Sequence, residues 1–143
     1  MVDERSVGTV VFLINAVSNR REYLLLQYTA GHWDFPKGNI EAGEGELDTA
    51  FREIYEETGI QDVVFLEGFR KKIDYHYTRA YKLVQKEVIY YIGRTSTHEI
   101  MLSNEHIGYS WKEYHDALNQ LTYDNAKNLL KDAEFFIQNR SSQ

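Results

Sequence analysis

Glu53, Glu56 and Glu57 lie three and four residues apart in a stretch with apolar residues at helical spacing. Wound at about 100° per residue, the three glutamates share one sector of a helix, while Leu47, Ala50, Phe51 and Ile54 share another. Carboxylates so placed have β-carbons roughly 5 to 6 Å apart. At an effective dielectric near 20 each pair repels by about 3 kcal/mol. A solvated face with Arg52 pairing Glu56 relieves part of that repulsion. A shared divalent cation relieves more, and oxygen-only donors select a hard ion, Mg²⁺ or Mn²⁺. Just upstream, Lys37-Gly38-Asn39-Ile40-Glu41-Ala42-Gly43-Glu44-Gly45 feeds the helix as a glycine-rich loop. Glycine lets backbone approach a ligand closely, and a helix N-terminus offers free N–H groups to anions.

The elements that must position these residues follow from pattern. Residues 9–14 and 22–28 are aliphatic and β-branched runs on either side of a polar turn, which predicts a hairpin. Residues 47–58 predict the carboxylate-bearing helix, stopped by Gly59 in a left-handed C-cap. Residues 63–69, 71–77 and 88–92 predict further strands, and apolar spacing predicts helices over 111–121 and 125–137. Strands before and after an internal helix, with helices at the end, predict an α+β fold with a mixed sheet between helices.

Composition bounds the rest. A chain of 143 residues with 43% apolar composition buries about 70% of its unfolded surface, enough for one domain over residues 1–143. The absence of cysteine excludes disulfides, thiolate metal sites and a cysteine nucleophile. The start lacks a signal-peptide pattern, and the longest apolar run, residues 10–14, is far short of the roughly 20 a membrane span needs. A soluble, cytoplasmic protein with no membrane partner is expected. Residues 38–60 hold seven acids against Arg52 alone, which accounts for the whole net charge of −6. Residues 68–86 carry Arg70, Lys71, Lys72, Arg79, Lys82 and Lys86 against Asp74. A broadly basic nucleic-acid face is therefore excluded, while a local cationic segment remains. Serine-hydrolase, Walker and zincin templates are absent.

Taken as one unit, Gly38, five residues, Glu44, seven residues and then Arg52-Glu53-Ile54-Tyr55-Glu56-Glu57-Thr58-Gly59-Ile60 resembles the complete Nudix box, spanning residues 38–60. The resemblance implies a Nudix-type α/β/α sandwich and metal-dependent hydrolysis of a nucleoside diphosphate linked to a further group. It implies Glu53, Glu56 and Glu57 as metal ligands, assisted by the carbonyl near Gly38, with more than one ion. Arg52 would orient Glu53, Glu44 would support the loop, and Glu105 is the candidate for a further carboxylate from outside the box.

Neighbouring segments are similar to the branch of the family that cleaves diadenosine tetraphosphate asymmetrically to ATP and AMP. They are His32-Trp33-Asp34-Phe35-Pro36-Lys37-Gly38, Leu24-Leu25-Leu26-Gln27, Leu102-Ser103-Asn104-Glu105-His106, and Val88-Ile89-Tyr90-Tyr91 after Lys86. Phe35 stands where many members have proline, and Trp33 to Gly38 also resembles RNA-decapping members. A Nudix enzyme acting on RNA 5′ ends or another nucleoside diphosphate derivative is the alternative, and a nucleotide-binding module without catalysis is the remote one. A small nucleotide substrate would meet His32, Lys37 and Lys86 at its phosphates and Tyr75 or Tyr77 with Tyr123 at a base. Point-charge lysines suit polyphosphate, and aromatic faces suit bases. Oligomeric state is not encoded in any of these patterns.

Overall fold

The computed structural model describes residues 2–140. Its centre is β1 (Glu4–Ile14), which runs parallel to β7 (Lys82–Arg94) from the Glu4–Lys86 pair to the Phe12–Arg94 pair. The other edge of β1 is shared. At its end Phe12 to Ile14 pair antiparallel with β2 (Arg21–Tyr28), and at its start Ser6 to Gly8 pair with β4 (Lys37–Asn39). β3 (Trp33–Asp34) and β8 (His106–Lys112) flank β2, while β5 (Val64–Phe65) and β6 (Lys71–Arg79) pair with β7. The helices are α1 (Glu46–Thr58), α2 (Tyr114–Gln120) and α3 (Asp124–Gln138).

Strand alternation divides the core into two layers. Val10 and Phe12 of β1 and Tyr23 and Leu25 of β2 pack with Ala117, Leu121, Leu129 and Leu130 of the α2–α3 side. Val11, Leu24 and Leu26 face the other way, onto Ile54 of α1 and Ile60. Helices therefore cover both faces of one mixed sheet, as expected of an α/β/α sandwich. Among the described residues no helix is long and apolar enough to cross a membrane.

Three local expectations are corrected. The strand expected over 63–69 is only Val64–Phe65. The helix expected from residue 111 begins at Tyr114, because Trp111 and Lys112 continue β8 against Leu24 and Tyr23. Ladder pairing there overrides the helical spacing. The third concerns the roll of α1. Gly45 N–H donates to the Asp48 carboxylate at the start, and Gly59, at φ 79°, closes the end by donating to the Tyr55 carbonyl. Its buried stripe, however, is Thr49, Ala50, Ile54, Glu57 and Thr58, while Leu47 and Phe51 remain 46% and 42% exposed. The helix is rolled toward its carboxylates, which puts Glu57 on the core side.

Two truncations on α1 test that roll. Ile54→Ala should cost about 2 to 5 kcal/mol in chemical denaturation, and Phe51→Ala under about 1 kcal/mol. Equal losses would contradict it.

Candidate active site

β4 brings Lys37 and Gly38 beside β1, opposite Gly8 and Val7. A side chain at Gly38 would collide with the Glu53 carboxylate, so glycine is required for β4 and α1 to approach this closely. Arg52 gathers the loop and the helix. Its Nε donates to Glu44 at 2.6 Å, Nη1 to Glu53 at 2.5 Å and to Glu56 at 3.0 Å, and Nη2 to the Asn39 carbonyl at 3.0 Å. Glu44 also accepts from Thr49 Oγ1 and from the Glu41 N–H, and the Arg52 hydrogen bond draws its pKa down to about 2. The same carboxylates push the Arg52 pKa up.

Glu57 is the exception. It is 1% exposed, and neither of its carboxylate oxygens has a hydrogen-bond partner. Burial, reinforced by Glu53 and Glu105, raises its pKa well above the usual carboxylate range. His106 Nε2 stands 3.3 Å from Glu57 Oε1 in a side chain with no exposed surface, and burial lowers the pKa of that imidazole. His106 closes the motif over residues 102–106, and no role is expected of it from the sequence. The available signal was its place beside Glu105, at the first residue of β8.

Two cavities meet at this point. One of about 690 Å³ is lined by Gly38, Arg52, Glu53, Glu56 and Glu105 together with Lys37 and Lys86. The second, of about 790 Å³, is lined by His32, Lys37, Tyr75, Tyr77, Lys86 and Tyr123, all six of the residues expected to meet substrate. Lys37 and Lys86 border both cavities. Lys37 Nζ donates to Asp34 at 3.3 Å, and burial followed by the charge of Lys37 lowers the Lys86 pKa. His32 stacks on Tyr28 at 4.7 Å and tilts toward Tyr123 at 5.4 Å. Tyr77 donates its hydroxyl to Glu4 at 2.7 Å.

The rest of the basic segment does not face these cavities as a block. Arg70 pairs with Glu46, Lys71 with Asp132, Lys72 with Glu87 and Arg79 with Glu4. The Arg70, Lys71 and Arg79 pairs reach α1, α3 and β1, the Lys72–Glu87 pair lies within the β6–β7 hairpin, and of the six cations only Lys86 lines the pockets just described.

Among the described residues no three acidic or histidine side chains converge closely enough to hold one ion. Arg52 is the shared counter-charge of Glu44, Glu53 and Glu56. The donor set nonetheless fits a hard cation: Glu53 lies against the Gly38 backbone, and the Glu57 oxygens are buried, unpartnered and close by. Such a buried carboxyl is tolerable when it is neutral, paired or bound to a metal.

Residues 5–133 match the family model described as NUDIX domain. The asymmetrical bis(5′-nucleosyl)-tetraphosphatase of Rattus norvegicus is 36% identical over 143 residues, covering 93% of this chain and 95% of that one. The structure of a C. elegans Ap4A hydrolase binary complex superimposes with a TM-score of 0.83 at 27% identity, covering 96% of this chain and 99% of that one. An RNA pyrophosphohydrolase of Brucella anthropi is 46% identical over 43 residues, 30% of this chain and 25% of that one. With the box, the sandwich and the full-length likeness in agreement, the chain belongs to the NUDIX family and is a Nudix hydrolase.

Proposed function

We propose that the protein hydrolyses dinucleoside polyphosphates, with diadenosine tetraphosphate split asymmetrically into ATP and AMP. The observation that carries this reading is the joined pair of cavities, one carboxylate-rich and one aromatic, with Lys37 and Lys86 on their common border. A tetraphosphate carries roughly four negative charges, and two lysines in partly buried surroundings attract such a chain more strongly than solvated ones. His32 and Lys37 take the phosphates with Lys86. Tyr123 and Tyr75 or Tyr77 offer ring faces to one base, for which stacking is worth about 1 to 3 kcal/mol.

Glu53, Glu56 and Glu57, the carbonyl near Gly38, and Glu105 are the groups we assign to hold Mg²⁺ or Mn²⁺. The ions supply charge neutralisation at the phosphates and acidify a water for attack at phosphorus. Arg52 sets the Glu53 carboxylate, and Glu44 fixes Arg52 in turn. Glu57, sealed from water, is held as a ligand in a low-dielectric site where its charge acts strongly.

The RNA 5′-end reading has less support. The longer basic groove it needs would draw on Arg70, Lys71, Lys72 and Arg79, all of which are engaged in ion pairs. A binding module without catalysis is disfavoured by the intact Arg52, Glu53, Glu56 and Glu57.

In ¹⁸O-water with Mg²⁺, diadenosine tetraphosphate should give ATP and AMP and be preferred over ADP-ribose and 5′-triphosphate RNA. Two ADP, or a preference for the RNA, would refute the substrate. Glu57→Gln should lower kcat on the order of 100-fold or more, since even residues that only support metal ligands cost 10- to 100-fold. The same variant has a stability signature without metal. A carboxyl whose folded pKa is raised contributes stability that is complete below the ordinary value of 4.5 and is lost as pH rises toward the folded pKa. The metal-free wild type should therefore melt progressively lower from pH 5 to pH 9, and Glu57→Gln should remove that decline. Identical pH profiles would show that Glu57 is not held protonated.

A further inference from the structure

Beneath the carboxylate cluster lies a short polar chain. Ser103 Oγ is 3.1 Å from His106 Nδ1, and His106 Nε2 is 3.3 Å from Glu57 Oε1. Ser103 is the hub of its own turn, accepting the Glu105 N–H at 3.3 Å. The imidazole cannot swing away, because Tyr28 meets it edge-on at 4.4 Å with an interplanar angle of 63°. Tyr28 in turn donates its hydroxyl to the Phe35 carbonyl at 2.7 Å. His106 Nε2 and both Glu57 oxygens are buried polar atoms without an aligned hydrogen bond. Three such atoms side by side are uncommon in folded proteins and call for a reason.

Proton bookkeeping narrows what the chain does. Ionised, as a metal ligand must be, Glu57 only accepts, so in that state Nε2 carries the hydrogen that faces it. In neutral imidazole the other nitrogen is then an acceptor, which the Ser103 hydroxyl satisfies as donor while its lone pairs receive the Glu105 N–H. His106 Nε2, 3.3 Å from Oε1, is a donor within reach of that oxygen, and a small turn of either side chain would align it.

We propose that His106, with its tautomer set by Ser103, is a positioning residue for Glu57, anchoring Oε1 so that Oε2 is left for a divalent cation. This inference rests on the reading of Glu57 as a metal ligand. Outer partners that orient ligands typically change metal affinity or activity by 10- to 100-fold. Geometry sets the range of the effect: His106 lies off both cavity walls, and none of its contacts belongs to the aromatic cavity except through Tyr28 and His32.

The test is Mn²⁺ affinity of the full chain without nucleotide, read from the electron paramagnetic resonance of the free aqueous ion. His106→Leu should weaken Mn²⁺ by about 10- to 100-fold while unfolding cooperatively in EDTA. Its kcat for diadenosine tetraphosphate should fall, with KM for the nucleotide unchanged at saturating metal. His106→Gln, which returns an N–H donor at similar reach, should recover most of the affinity. A folded His106→Leu with wild-type Mn²⁺ affinity overturns the proposal, as does a glutamine variant no better than leucine. Should His106→Leu fail to fold, Ser103→Ala decides, since it keeps the ring and frees the tautomer: weaker Mn²⁺ binding supports the proposal and unchanged binding overturns it. A wild type that binds no Mn²⁺ overturns the ligand reading of Glu57 and this inference together. Unchanged variants of a metal-binding wild type overturn this inference alone.

Discussion

Glu57 is a carboxylate fixed on the core side of a helix, and much of the site's geometry follows from that. Burying a charge without a partner is strongly unfavourable. The helix cannot simply rotate to hydrate it, because Ile54 lies on the same stripe and packs with Val11, Leu24 and Leu26. Turning α1 outward would expose that side chain at a cost of roughly 2 kcal/mol and would pull Ala50 with it. The apolar layer between α1 and the sheet thus holds the ionisable group in place. Gly38 completes the constraint, since β4 approaches the same helix so closely that the Glu53 carboxylate occupies the space of a side chain.

Charge is arranged around that fixed point by pairing. Residues 38–60 contain the entire net charge of −6, yet Arg52 alone contacts Glu44, Glu53 and Glu56 and also holds the Asn39 carbonyl. Exposed single pairs contribute little to stability, but a bidentate guanidinium within a network fixes geometry. The cationic hairpin is neutralised in the opposite sense, by Glu4, Glu46 and Asp132 from other parts of the chain and by Glu87 of its own second strand. Lys37 and Lys86 remain at the cavity borders, in contact with Asp34 and Glu4 respectively. The electrostatic contrast visible along the sequence is therefore largely consumed in holding the fold, and a small residue of it faces the cavities.

The layer order, the extent of α1 and its Gly59 stop were readable because each rests on local rules: strand alternation, helical spacing and a left-handed cap. So was the company of His32, Lys37, Tyr75, Tyr77, Lys86 and Tyr123, which motif resemblance grouped and which line one cavity. The roll of α1 was not, because Leu47 and Phe51 are as apolar as Ile54 and only the packing of Val11, Leu24 and Leu26 decides which of them is covered. β8 was hidden for a similar reason. Trp111 fits a helical stripe as well as a strand, and its pairing partner Leu24 lies far away in sequence. The pairing of Arg70, Lys71, Lys72 and Arg79 also depends on residues brought close only by folding. His106 was overlooked because a buried imidazole has no sequence pattern of its own.

The divided edge of β1 has a further consequence. Since β2 takes one end of that edge and β4 the other, the chain between them turns back along β2 as β3 before it reaches β1 at Lys37. The carboxylate-rich cavity opens on the side of α1 and the aromatic cavity on the side of α3, with Lys37 and Lys86 at the rim between them. Anything that fills both passes Lys37 and Lys86. The separation of the two chambers is thus set by the backbone of the sheet, while their linings are set by side chains.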